Sequence, residues 1–281
     1  MERLDNAAAS GRAEHIDEAS ESVASASSER DMLAVSPALP SPCVLGYRRR
    51  MDSIRYEWEP SDALARITLD DGKANVMSVP FFDRIAEALD RAERDHARAV
   101  LFAGRPGMFS GGLDLKLMPT LSPPELRTLA REFAHTMLRI FTFPAPTVAA
   151  LTGHAIAGGA ILALACDRRV ATDGPYRLHV NEVAIGIPVP TWMALIAMAG
   201  IPPAFHVEAI LHARAYSPRE ASERGIVHAV TDAGTDVISA ARDAARHLNV
   251  LAPAAYAETK RRMRSADVTR VLQRLEDELP G

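Results

Sequence analysis

Two glycine-rich stretches carry the residue types that chemistry at a carbonyl would need. FSGGLDLK at 109–116 and GHAIAGGAILALACD at 153–167 each set adjacent glycines at the end of a strand-like run. Without side chains, the backbone N–H groups there can approach a ligand closely. The AGG at 157–159 opens an apolar helix, and the unpaired N–H groups and dipole of a helix start favour developing negative charge. One donor from each stretch would make an oxyanion hole. Taken singly, the first reads equally well as a tight turn and the second as close helix packing. The apolar helix opened by the second pair of glycines carries no acid or base of its own.

The elements that must position these loops alternate strand with helix. From residue 53, IRYEWEP and ALARITLD are short runs rich in aromatic and β-branched residues around a polar turn, which suits a hairpin. The loop DGKANVMS (71–78) follows. Apolar residues recur at helical spacing over 79–94 and 123–142, and ARAVLFAG, PTVAALTG and DRRVATDG read as strands. Helices are expected around 191–199 and 203–213, then a helix and turn in SPREASERGIV and a helical C-terminus. The pattern is α/β. Residues 1–50 are rich in Ala, Ser and charge and nearly devoid of aromatics, so a disordered leader is expected there, with Met51 an alternative start to Met1.

Composition excludes several functions. The chain has 281 residues, 48% hydrophobic and 24% charged, with a net charge of −4 and no broad basic face. Nucleic acid and anionic membrane surfaces are therefore not expected partners. Cys43 and Cys166 give neither a disulfide framework nor a metal motif, so a reducing compartment and no metal are expected. The longest uncharged run, 183–205, is interrupted by Pro188, Pro190, Pro202 and Pro203 and reads as loop plus buried helix rather than a membrane span. The N-terminal acids Glu14, Asp17, Glu18 and Glu21 argue against a transit peptide, so the cytoplasm is expected.

FSGGLDLK, GHAIAGGAILALACD and HVNEVAIGIPVPTW (179–192), in this order and spacing, resemble the enoyl-CoA hydratase/isomerase (crotonase) family. The resemblance runs over roughly 53–265 and includes DGKANVMS and YSPREASERGIVHAV. It implies a crotonase-like ββα spiral of stacked sheets ringed by helices, with a core over 51–215 and a C-terminal helical trimerisation region over 216–281. It implies that the Leu113 and Gly158 N–H groups hold a thioester carbonyl. Gly111, Leu115 and Lys116 would then lie along the path of coenzyme A, with Lys260 reaching its nucleotide.

Family hydratases carry two catalytic glutamates, and the position of the first is Ile161 here. The second corresponds to Glu182. One acid instead of two resembles the short-chain Δ3,Δ2-enoyl-CoA isomerases, in which a single base moves a double bond with no cofactor beyond the substrate's coenzyme A. PVPTW would help wall the acyl pocket. A hydratase-like or other crotonase reaction using Glu182 alone, and a non-catalytic acyl-CoA binding protein, are the alternatives. His154 and His179 flank the motifs as packing residues or substitute bases, and Asp114 suits a local cap. Partners implied are an acyl-CoA thioester and further copies of the chain, as a homotrimer or hexamer.

Overall fold

A computed structural model describes residues 53–280, all within one unit. The expected leader over 1–50 and the choice between Met1 and Met51 lie outside the described residues. Strands β1 (Ile54–Glu59) and β2 (Leu64–Leu69) form the expected antiparallel hairpin, with Ile54 opposite Leu69. Strand β3 (Val76–Met77) leads into helix α1 (Val79–Arg94), whose buried Phe81, Phe82, Ile85, Leu89 and Ala92 recur at the spacing of one helical face. Next come β4 (Ala99–Ala103), β5 (Gly107–Ser110), β6 (Gly112–Leu113) and helix α2 (Pro123–Thr142). A capping box between Ser122 and Glu125 starts α2, whose bounds match the expected helix over 123–142.

The second half opens with β7 (Thr147–Leu151), β8 (Gly153–Ile156), helix α3 (Gly158–Ala165), β9 (Arg168–Thr172) and β10 (Leu178–His179). A 3₁₀ turn (Val183–Ile185) precedes helix α4 (Thr191–Gly200). Helix α5 (Pro218–Glu223), strand β11 (Ala229–Thr231), helix α6 (Val237–Asn249) and the long helix α7 (Pro253–Glu278) complete the order.

Six strands form one sheet in the order β1-β2-β4-β7-β9-β11, parallel after the hairpin. Because side chains alternate along a strand, the sheet serves two cores. Ile67, Leu69, Val100, Phe102, Ala149 and Leu151 face the main core, while Leu64, Leu101, Val148 and Val170 meet Val237, Ala241 and Ala245 of α6. A second, all-parallel sheet runs β10-β8-β5, and β3 pairs with β6.

Two expectations need correction. Residues 216–281 are not purely helical: β11 adds to the edge of the main sheet beside β9, and α6 covers that sheet, so position 215 is not a boundary in packing. The expected helix over 203–213 is a 3₁₀ turn (Pro203–Phe205) followed by a π-helical turn (Val207–Leu211). Pro202 and Pro203 lack N–H donors, so a regular α-helix cannot be continued through them from α4.

Candidate active site

The small sheet assembles the site. Its three strands are parallel, so their C-terminal ends point the same way, and each runs into one group of candidate residues. β5 delivers Gly111, Gly112 and Leu113; β8 delivers Ala157 and Gly158; β10 ends three residues before Glu182.

The two glycine stretches touch. A Cβ added at Gly112 would lie 2.7 Å from the Gly158 nitrogen and 3.0 Å from the Ala157 Cβ. Only a glycine lets the Leu113 loop close so tightly on the start of α3. The first helical bond of α3 runs from Ile161 N–H to Ala157 O, at 3.0 Å, so the Gly158 N–H has no intrahelical acceptor. Asp114 N–H bonds to Met77 O at 3.1 Å. Since N–H groups alternate sides along a strand, the Leu113 N–H faces away from β3. Ala157 itself holds φ 50° and ψ −124°, a region that disfavours any side chain, and its N–H is tied to His179 O at 2.8 Å.

Sequence reasoning missed the braces behind this loop. Asn75, buried at φ 49°, donates to Leu69 O, Met108 O and Phe109 O and accepts from Asp71 N–H. Ser110 Oγ donates to Asn75 O at 2.8 Å and accepts from Gly112 N–H at 3.2 Å. Together they fix the approach to Leu113. The one signal in the sequence was an Asn within DGKANVMS, since Asn tolerates the left-handed region better than other side chains.

Glu182 is buried, with 5% of its surface exposed, and its Oε2 has no hydrogen-bond partner among the described residues. Burial pushes its carboxyl above the usual glutamate range, and the backbone amides of Glu182 and Asn181 pull weakly the other way. An acid so placed is a functional-site candidate. Ile161, one helical turn into α3, is fully buried in the main core. The two histidines are engaged elsewhere: His154 Nδ1 accepts from Arg177 N–H and its ring meets Tyr176 edge-on, and His179 Nε2 contacts Ala213 O at 2.8 Å.

Gly111 donates its N–H to Ala74 O, and Leu115 and Lys116 are exposed just beyond the Leu113 loop. The Asp114 carboxylate accepts from the Lys116 and Leu117 N–H groups, the local cap expected of it. Lys260 is not with them. Its ammonium is buried, bonded to Asp167 Oδ2 at 2.6 Å and to Ala145 O at 3.2 Å. Burial alone would raise the Asp167 carboxyl, but Lys260 and Arg264 outweigh it and hold it below the usual range. Lys260 therefore ties α7 to the end of α3 within its own chain. Lys260→Met is expected to cost about 3 kcal/mol of stability, because breaking a buried pair strands its partner, while KM for acyl-CoA stays within about twofold. A thermal melt beside steady-state kinetics checks this: a large KM rise with an unchanged melt would return Lys260 to the coenzyme A path.

Among the described residues, no group of three or more His, Cys, Asp or Glu is arranged to hold a metal ion, and no helix is long and apolar enough to cross a membrane.

Comparison with known proteins places the chain among enoyl-CoA enzymes. Residues 59–278 match the enoyl-CoA hydratase/isomerase family model. Human mitochondrial enoyl-CoA delta isomerase 1 is 31% identical over 230 residues, covering 80% of this chain and 76% of its own. A probable enoyl-CoA hydratase of Mycobacterium tuberculosis, EchA17, is 30% identical over 231 residues, covering 82% and 84%. The crystal structure of human mitochondrial delta3-delta2-enoyl-CoA isomerase superposes with a TM-score of 0.75 at 28% identity, over 79% of this chain and 87% of that one. Relatives thus include mitochondrial and bacterial proteins, named both as isomerases and as hydratases. With the crotonase fold, the paired glycine loops and the match over most of its length, the chain belongs to the enoyl-CoA hydratase/isomerase family of enzymes.

Proposed function

We propose that this enzyme shifts the double bond of a 3-enoyl-CoA to give the trans-2-enoyl-CoA, with Glu182 as the single proton shuttle. The observation that carries the proposal is the asymmetry of the site. One buried carboxylate stands at Glu182, while the position where family hydratases hold their other acid is the fully buried Ile161. An aliphatic side chain can neither hold nor activate water. Moving a double bond needs no water.

In this reading the Leu113 and Gly158 N–H groups polarise the thioester carbonyl, which acidifies the α-carbon. Glu182 takes the α-proton, the dienolate charge rests on the carbonyl oxygen between the two donors, and the same carboxyl returns the proton to the γ-carbon. The 2,3 double bond is formed as the 3,4 double bond is lost, and atoms balance. The raised carboxyl of Glu182 suits this exchange, because a base closer in proton affinity to the carbon acid transfers more readily in both directions. Gly111, Leu115 and Lys116 line the coenzyme A path, the substrate's coenzyme A is the only cofactor called for, and α7 helps form a homotrimer.

The test is a panel of 2-enoyl- and 3-enoyl-CoA thioesters with products identified by mass and chromatography. Conversion of 3-hexenoyl-CoA to trans-2-hexenoyl-CoA at unchanged mass, with no hydration of crotonyl-CoA, is the expected result. Robust hydration would overturn the single-acid mechanism. Tight acyl-CoA binding with no turnover of any enoyl isomer would assign the chain a binding role.

A further inference from the structure

The last turn of α7 runs against the rule for helix ends. Its sequence closes LEDE, which sets Glu276, Asp277 and Glu278 at the negative pole of the helix with no basic residue in the last turn. Acids there are unfavourable unless other parts of the molecule satisfy them. Glu276 takes two guanidinium N–H groups of Arg131 on α2, at 2.8 Å each. Glu278 accepts from the Thr191 N–H at 2.7 Å and also from the Thr191 hydroxyl. Leu275 and Leu279 are buried in the main core, so the turn is held down on both sides of these acids.

Thr191 is the first residue of α4, the helix that follows the Glu182 turn. Pro190 before it makes no side-chain cap, and the first turn of α4 carries no acid. A helix start needs acceptors for its N–H groups. Here the acceptor arrives from 87 positions away, and its charge suits the positive end of the α4 dipole. A carboxylate badly placed for its own helix caps another.

The candidate site lies on both sides of that cap. Upstream, the turn closes with Ile187 N–H bonded to Glu182 O at 2.9 Å, and the chain then reaches α4 through Pro188 and Pro190, which have no N–H to anchor it. Downstream, Trp192 meets Phe133 edge-on at 4.9 Å, and a Cβ on Gly158 would lie 2.8 Å from Phe133 Cζ. A shift at Thr191 would reach the acid along the chain and the start of α3 through two aromatic rings.

We propose that Glu278 is a positioning residue for the reaction: by capping α4 it fixes the turn that carries Glu182 and keeps water from that carboxylate. This rests on the reading of Glu182 as the base. Glu276, on the same turn, sits in an exposed ion pair with α2 and has no such link.

Hydrogen exchange of the 183–191 amides and the pH dependence of kcat/KM for 3-hexenoyl-CoA read this in Glu278→Ala, Glu278→Gln and Glu276→Ala. The Glu182 carboxyl is raised by burial, opposed by two backbone amides and by no charged neighbour. Admitting water should therefore move its limb down toward the ordinary glutamate range. In Glu278→Ala, exchange at Ile185, Ile187 and Thr191 should quicken about fivefold or more, the scale of a lost helix cap, with kcat down about tenfold and the limb lower. Glu278→Gln keeps an acceptor for the Thr191 N–H and should fall between Ala and wild type. Glu276→Ala should match the wild type in both readouts, because exposed pairs contribute little. Equal loosening in Glu276→Ala, unmoved exchange in Glu278→Ala, or a lowered melt with the limb in place overturns the inference. Exchange is read without turnover. Faster exchange in Glu278→Ala of a protein that isomerises nothing would thus sink the isomerase reading alone, and wild-type isomerisation with unmoved exchange would sink the positioning role alone.

Discussion

Glu182→Gln is expected to abolish turnover of 3-hexenoyl-CoA, by about 10³-fold or more, and at the same time to raise the melting temperature at neutral pH. Gln keeps the shape of the side chain and can still donate and accept hydrogen bonds, but it cannot take a proton. Acyl-CoA affinity should stay within about tenfold, or about 1.4 kcal/mol. The stability gain follows from burial. The folded Glu182 carboxyl titrates above its ordinary value of 4.5 because desolvation penalises the charge. Between that value and the raised one, the folded state binds more protons than the unfolded state, so stability falls as pH rises through the window. Above the window the whole penalty is present, and Gln removes it; at lower pH, where both states hold a neutral carboxyl, the advantage should vanish. The wild-type rate should correspondingly climb with pH along a limb lying above the ordinary glutamate range. Single-turnover conversion and melts at pH 4 and 7.5 read both effects. Retained turnover, or a variant that melts below the wild type at neutral pH, would show that Glu182 is not a buried base.

What the sequence disclosed tracks the range over which each interaction acts. The hairpin, α1 and α2 were legible because their patterning is local. The meeting of the two glycine stretches was legible for a related reason: adjacent glycines are what close backbone approach requires. The burial of Lys260 was not legible because its environment is not local. Asp167 and Ala145 O reach it from 93 and 115 positions away, and by itself a lysine in a basic helix reads as solvated. Asn75 has the same character, fastening the end of β2 to strand β5 more than thirty residues on. Strand β11 has only three residues at a sheet edge, too few for periodicity to show. Glu182 lies between these cases. In isolation it is one more loop glutamate, and only its register with the family motif marked it before the structure showed it buried.

Gly112→Ala is expected to lower kcat by about 10² or more, the scale of losing one oxyanion donor, although Gly112 is not itself a donor. Gly112 holds φ 81°, where a side chain is strained by about 1–2 kcal/mol. The added methyl would meet the Gly158 nitrogen at 2.7 Å, with Ile156 O and the Ala157 Cβ each at 3.0 Å. Two of those three atoms are backbone and the third is fixed to it, so nothing can swing aside; the Leu113 loop and the start of α3 must separate. Electrostatic stabilisation of this kind depends on donors held at the position of the oxyanion, and small misplacements are costly. Gly111→Ala separates this effect from general damage to the loop. Its Cβ would sit 3.3 Å from Ala74 O, a tight contact but without a left-handed φ, so kcat should fall far less than in Gly112→Ala, with any loss falling on KM because Gly111 lies on the proposed coenzyme A path. The direct readout is the infrared band of a thioester carbonyl labelled with carbon-13 and bound to each protein. Wild type and Gly111→Ala should show the carbonyl shifted to lower frequency by the two N–H groups, and Gly112→Ala should show that shift reduced in step with kcat. A shift unchanged in Gly112→Ala would mean that the carbonyl is held somewhere other than between Leu113 and Gly158.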